Sequence, residues 1–446
     1  MFFTSYLLWG FTLLSLAFAS PTGNSGLFKA HVAKRFQDPS LDKIVSTYLS
    51  MVRHKFDYIS PLQDTLRRRS VTAGVAPTTA IDQTLAWVTK IQVAGNDYYV
   101  GIDTGSSDTW IAAKDFKCFD YESAEPLDMS FCQFGPVYTP ASDFAPVLDQ
   151  IFVIRYGDGR FLSGVFSHVD VTLAGISVNQ QIGIATEAGC TAAFNISDGL
   201  YNKSDDQSRV EHQIPYDPIF TTMYKSEKIA PVFSLAISRA TAKKITQFPS
   251  CDGYLALGGL PPVKTYGKWA RSPIEYVALD YGYYPTSLPY PQFEWYTILA
   301  EDFLIQRNPT ATYGNDQWAP LPKPATLPRV QIIIDSGTTL DYLPGDMAFL
   351  LAAAYQPPAV WDPEMRVFFV ACEAIPPRFA IKIAGVIFEV DPRDMINDEG
   401  DGTCITTHLP GNPAYPYVIG DVFLRNVLVV FDVGAGELRI RSRGRY

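Results

Sequence analysis

Val100-Gly101-Ile102-Asp103-Thr104-Gly105-Ser106-Ser107 returns 232 residues later as Ile332-Ile333-Ile334-Asp335-Ser336-Gly337-Thr338-Thr339. Each copy is an apolar run ending in Asp, then a small hydroxyl residue, a Gly and two further hydroxyl residues. At average composition one Asp-[Ser/Thr]-Gly triplet arises by chance in roughly one chain in five of this length. A single copy therefore reads as an ordinary turn at a strand end, where Asp, Ser and Gly are all common. Two copies, each behind an apolar strand and each in its own half, read as an internal duplication that brings two carboxylates to one place.

Paired carboxylates suit amide hydrolysis. Water is a weak nucleophile and the amide carbonyl a weak electrophile. One carboxylate must accept water's proton while a carboxylic acid protonates the carbonyl oxygen or the leaving nitrogen. Two carboxyls about 3 Å apart cannot both ionise easily, so they hold one proton between them; aspartic peptidases are the standing example. Asp103 and Asp335 are thus the expected catalytic pair. Thr104, Gly105 and Ser106, with Ser336, Gly337 and Thr338, are their expected support. Gly105 and Gly337 allow a tight turn and close approach to the carboxylates, and the Ser106 and Thr338 hydroxyls can hold the outer carboxylate oxygens.

The rest of the chain agrees with strands ending in turns. Its 446 residues are 47% apolar and only 18% charged, with 33 Pro and 31 Gly, which describes a well-buried, turn-rich protein long enough for two lobes plus removable segments. Short Val/Ile/Tyr/Phe/Thr runs predominate, as at Ile151 to Ile154 and Val169 to Leu173. The stretch Ile381 to Val390 predicts two strands joined at Ala384-Gly385. The class expected is mainly β.

Residues 1–19 read as a signal peptide, apolar from Tyr6 to Phe18 and closing on Ala17-Phe18-Ala19. The run is short for a membrane span, and the basic end rules out a lipid-anchor signal. Residues 20–69 hold nine Lys/Arg against four Asp, so the whole-chain charge of −10 leaves −15 for residues 70–446. A basic leader beside an acidic body suggests an intramolecular partner, with Arg67-Arg68-Arg69 as the processing point. The exported, acidic body argues against nucleic acid. Five scattered His without metal-ligand spacing argue against zinc, and a Gly-x-Ser-x-Gly elbow is lacking. Six Cys in an exported chain allow 15 pairings. Spacing favours Cys118 with Cys132 and Cys372 with Cys404, which leaves Cys190 and Cys251 paired together or as thiols.

The duplicated motif resembles the two active-site signatures of the pepsin family, and similar segments extend over nearly all of residues 80–446. Trp110 stands where that family keeps a Trp behind the flap. Tyr156-Gly157-Asp158-Gly159 resembles the flap tip, whose Tyr closes over substrate. Val418-Ile419-Gly420-Asp421-Val422-Phe423-Leu424-Arg425 is similar to the strand beneath the second Asp, and Gly253 to Gly259 to the end of the first lobe. Cys372 with Cys404 is similar to the second-lobe disulfide. The resemblance implies an all-β, bilobal fold with the active-site cleft between its lobes, at 80–265 and 266–446, behind a signal at 1–19 and a propeptide at 20–69. It implies a monomeric, secreted or vacuolar endopeptidase that cuts polypeptides between apolar residues at acid pH. It implies no cofactor, no nucleic acid and no membrane after signal removal, with the propeptide as inhibitor.

Two departures stand out. The stretch Trp87 to Asn96 lacks the family's Gly-Thr-Pro. The first-lobe counterpart of Ile419-Gly420 is expected at Asp198-Gly199-Leu200-Tyr201-Asn202, with Asn where the family has Gly. Asn195-Ile196-Ser197 and Asn202-Lys203-Ser204 are also glycosylation sequons, and a glycan cannot sit beneath a catalytic Asp. The competing expectation is a catalytically silent relative that binds a peptide, polysaccharide or enzyme in the same cleft.

Overall fold

The computed structural model describes residues 73–81, 86–119, 126–128, 136–140, 144–155, 161–188, 193–195, 216–239, 249–275, 295–306, 318–323, 329–399, 402–413 and 416–444. The signal and leader segments, Arg68, Arg69, Tyr156, Gly157, Asp158, Cys132, Cys190 and Asn202 lie outside them.

The described chain is mainly β, as its alternating runs require. Its hairpins are made by a repeated local device. Ala94-Gly95, Ala174-Gly175 and Ala384-Gly385 each join two strands, and both residues of each pair have positive φ, from 47° to 80°. That is the two-residue turn whose twist matches flanking strands. Ala384-Gly385 falls where the sequence places it, between strands Arg378–Ile383 and Val386–Val390.

Among the described residues one large sheet carries fourteen strands, beside one of five and two of four. The large sheet begins with strand Gly74–Ile81, upstream of the expected lobe start at 80, which pairs with both Ala86–Val93 and Gly253–Leu257. It continues through Val232–Ile237 into Val427–Asp432 and Glu437–Arg443. Early and late parts of the chain thus share one sheet. The 265/266 boundary expected from sequence falls at the head of strand Thr265–Pro273, which pairs with Glu437–Arg443. Phe233 stacks on Phe431 at 4.4 Å, and the Tyr296 ring meets both edge-on. This core ties both halves of the sequence together.

The strands that matter most are Asn96–Asp103 and Val330–Ile334. The first pairs antiparallel with Ala86–Val93 and parallel with Ala193–Asn195. The second pairs antiparallel with Thr297–Ala300 and parallel with Tyr417–Ile419. Each Asp therefore leaves a strand gripped on both sides, and the duplication seen in sequence is one of backbone pairing too. Val100, Ile102, Ile332, Ile333 and Ile334 are all buried, which anchors both strand ends.

Candidate active site

The two turns after these strands interlock. The Thr104 hydroxyl donates to the Ile334 carbonyl at 2.9 Å, and the Ser336 hydroxyl donates to the Ile102 carbonyl at 2.9 Å. Each hydroxyl also accepts the other residue's backbone N–H: Ser336 N to Thr104 Oγ1 is 3.0 Å and Thr104 N to Ser336 Oγ is 3.2 Å. All four bonds are buried, where losing a partner costs most. The sequence offers Thr104 and Ser336 as generic support; their reciprocal grip across 232 residues is what the structure adds.

Within each copy the carboxylate is held the same way. Gly105 N–H donates to Asp103 Oδ1 at 2.7 Å, and Gly337 N–H to Asp335 Oδ1 at 2.8 Å. Ser106 donates its hydroxyl to Asp103 Oδ2, and Thr338 does so to Asp335 Oδ2 at 2.6 Å. The glycines have a sharper reason than turn geometry. A Cβ on Gly105 would lie 2.6 Å from the Asp335 carboxyl, and one on Gly337 would lie 2.4 Å from that of Asp103. Each glycine makes room for the opposite carboxylate.

The surroundings are largely buried and rich in acid. Asp103 is buried and Asp335 half-buried. Burial first, then the charge of Asp335, raises the Asp103 carboxyl to about 8, against the opposing bonds from Ser106 and Gly105. Asp103 thus keeps its proton through mildly acid and neutral pH.

Among the further buried carboxylates are Asp108 and Asp341, five and six positions after the two active-site Asp residues, and Asp421, which follows Gly420. Asp108 accepts the Tyr216 hydroxyl, and burial pushes its carboxyl up to about 6. Asp341 lies beside His408, and burial raises it, opposed by the imidazole. Asp421 is raised well above the usual range by burial, against the attraction of Arg425, while the Asp335, Asp341 and Asp103 charges add to the rise. The signal available in sequence is an acid inside an apolar run, as in Leu340-Asp341-Tyr342-Leu343, since such a residue must find a partner when buried.

Trp110 is fully buried at the head of strand Trp110–Phe119, level with Gly183 of the neighbouring strand. Cys372 and Cys404 are bonded to one another, closing 32 residues. Cys118 is disulfide-bonded, and Cys251 is an exposed thiol.

Among the described residues Ala193–Asn195 runs parallel to the Asp103 strand, with Ile102 opposite Phe194 and Asp103 opposite Asn195; Asp198–Asn202, where the sequence places this counterpart, lies outside them. A three-residue strand carries no periodic signal, so sequence pattern could not choose it. Asn195 lies level with Asp103, as Gly420 follows Ile419 opposite Ile334 in the second copy.

Residues 86–442 match the family described as eukaryotic aspartyl protease. The chain is 34% identical over 427 residues to a probable aspartic-type endopeptidase of Aspergillus fumigatus, covering 91% of this chain and 90% of that protein. It is 24% identical over 376 residues to rhizopuspepsin of Rhizopus chinensis, covering 82% and 81%. It is 25% identical over 358 residues to a vacuolar aspartic protease of Candida albicans, covering 78% and 73%.

Proposed function

The chain belongs to the eukaryotic aspartyl protease family and is an aspartic-type endopeptidase of all-β, bilobal pepsin-like fold, and we propose that Asp103 and Asp335 together activate the water that cuts its polypeptide substrates. The observation that carries this is reciprocal: each carboxylate lies against the glycine of the other copy, where a single added carbon would collide with it.

The chemistry follows from one shared proton. The ionised carboxyl takes a proton from water as the oxygen attacks the peptide carbonyl, and the protonated carboxyl gives its proton to the carbonyl oxygen. The tetrahedral diol then returns a hydroxyl proton through the pair to the amide nitrogen. The C–N bond breaks, leaving an acid and an amine, with the pair again holding one proton. The N–H groups of Gly105 and Gly337 and the hydroxyls of Ser106 and Thr338 hold both carboxyls in place during these transfers, so little reorganisation is needed.

Acid conditions suit this arrangement. Asp103, Asp108, Asp341 and Asp421 are all raised by burial, so their ionisation at higher pH works against the folded state. On the family resemblance we assign Tyr156, Gly157 and Asp158 to a flap over the substrate, and apolar side chains to both sides of the cut. We also assign the basic leader to inhibition until processing at Arg68 and Arg69, and the monomeric mature enzyme to secretion or a vacuole. No cofactor enters this scheme. Among the described residues no helix is long and apolar enough to cross a membrane.

The test is cleavage of an unfolded protein between about pH 3 and 6 by the wild type, Asp103→Asn and Asp335→Asn. Both variants should be folded and inactive. Cleavage by either would overturn the dyad, and a folded, inactive wild type that still binds peptide would make the chain a silent relative.

A further inference from the structure

The strand that delivers Asp335 belongs to the five-stranded sheet, whose order is Thr297–Ala300, Val330–Ile334, Tyr417–Ile419, Asp341–Leu343 and His408–Pro410. At its far side Asp341 stands directly opposite His408 in parallel register. Both are fully buried, at 0% and 1% exposure of their side chains, with Asp341 Oδ2 3.3 Å from His408 Nε2. Neither atom has a hydrogen-bond partner among the described residues; each faces the other, and the backbone N–H groups of Gly420 and Phe423 also favour the Asp341 charge. A buried acid and base this close are costly to place, and removing one alone strands the other.

What the pair does with its remaining atoms points inward. Asp341 Oδ1 accepts the Gly420 N–H at 2.8 Å. The Asp341 backbone N–H donates to the Thr407 carbonyl at 3.0 Å, and the Thr407 hydroxyl lies 3.2 Å from His408 Nδ1. Gly420 in turn is pressed against the active-site turn: a Cβ there would lie 2.2 Å from the Thr338 carbonyl. Its neighbours complete the clamp. Asp335 N–H donates to the Ile419 carbonyl at 3.0 Å, and Asp421 N–H to the Thr338 carbonyl at 2.9 Å. Thr338 is the residue whose hydroxyl holds Asp335 Oδ2. The path from His408 to the second carboxylate thus runs through Asp341, the Gly420 amide and the backbone on either side of it.

We propose that Asp341 and His408 are a positioning couple for Asp335: anchored on each other, they fix the Gly420 amide and so hold the Ile419–Asp421 turn against the loop that aims the second carboxylate. Neither residue reaches the dyad or the substrate. Their contribution is to the geometry of the reacting pair, where small displacements cost rate more than binding. This rests on the dyad reading above, and the experiment separates the two.

The variants are Asp341→Asn and His408→Gln, each near in shape to the native residue, with their double variant and Asp335→Asn as control. Steady-state cleavage of one peptide substrate is measured for each, with thermal unfolding as the check of folding. Each single variant should lose about tenfold to a hundredfold in kcat with KM within about twofold. The double variant should be no worse than the poorer single, because the residues act as a unit. Full kcat in either folded single variant overturns the proposal, and so do losses that multiply in the double variant. Where one single variant does not fold, kcat of the other decides. If Asp335→Asn still cleaves, the dyad reading has failed; if it is inert while the couple's variants match wild type, only the couple has.

Discussion

Replacing Asp108 by Asn should remove a defined part of the protein's loss of stability at neutral pH. Asp108 is buried against the Tyr216 hydroxyl, and burial raises its carboxyl from 3.8 to about 6. The folded state therefore keeps this proton to higher pH than the unfolded chain does. Well below pH 3.8 both states are protonated and the site costs nothing. As pH rises through about 6 the unfolded state has already released its proton, and the folded state must release its own into a buried position. The stability contribution is thus complete in acid and is lost between about pH 4 and 6, the reverse of a salt-bridged carboxylate. About two pKa units at 1.36 kcal/mol each is about 3 kcal/mol. Asn carries no proton to lose and its carbonyl can still accept from Tyr216. Urea unfolding of both proteins at pH 4 and pH 7 gives the comparison, since every other titrating group is common to the two. The wild type should lose about 2 kcal/mol more than Asp108→Asn across that interval, since at pH 4 the unfolded chain has already released part of the proton. Tyr216→Phe removes a bond that favours the anion and should steepen the wild-type loss. An identical pH dependence in wild type and Asp108→Asn would falsify the argument.

Two further substitutions test the interlock at the dyad. Thr104→Val takes away both the donor to the Ile334 carbonyl and the acceptor of the Ser336 N–H; it should cost about 2–5 kcal/mol in urea unfolding and lower kcat, while Thr104→Ser keeps both bonds and stays near wild type. Gly337→Ala puts a methyl where the Asp103 carboxyl lies; kcat should fall by about a hundredfold or more against a folding cost of about 1–3 kcal/mol, and near-native turnover would show that the turns do not approach as described.

What can be read from the sequence is what repeats or what is local. Asp103 and Asp335 are legible because the same five residue types follow two apolar strands, and the Ala384-Gly385 hairpin because a turn sits between two alternating runs. The same Ala-Gly device at 94–95 and 174–175 is present in the sequence and gives a weaker signal, since Ala has no preference for the positive φ that both turns impose. Cys372 with Cys404 is legible from loop length. The grip of Thr104 on Ser336 is not, because pattern can show that two hydroxyls occupy equivalent places and cannot show that they meet. Asp108 finds Tyr216 at a separation of 108 residues, and no local signal reports that.

The duplication also ends sooner than its motif suggests, and the place where it ends bears on mechanism. Through the Asp, the hydroxyl residue, the Gly and the next hydroxyl, both copies make the same bonds. Immediately beyond, they part. Asp108 follows the first Asp by five positions, where the second copy has Leu340; Asp341 follows the second Asp by six, where the first copy has Thr109. Each half thus buries its own accessory carboxylate, but one leans on a phenol and the other on an imidazole. A strictly symmetric pair would give its two carboxyls equal claims on the proton. Here the scaffold is symmetric where it must aim the carboxyls and asymmetric one turn further out, and Asp103 ends up the more deeply buried of the two. Burial disfavours its charge and raises the Asp103 carboxyl to about 8. The proposed couple at Asp341 and His408 belongs to the half that carries the less buried carboxyl, Asp335.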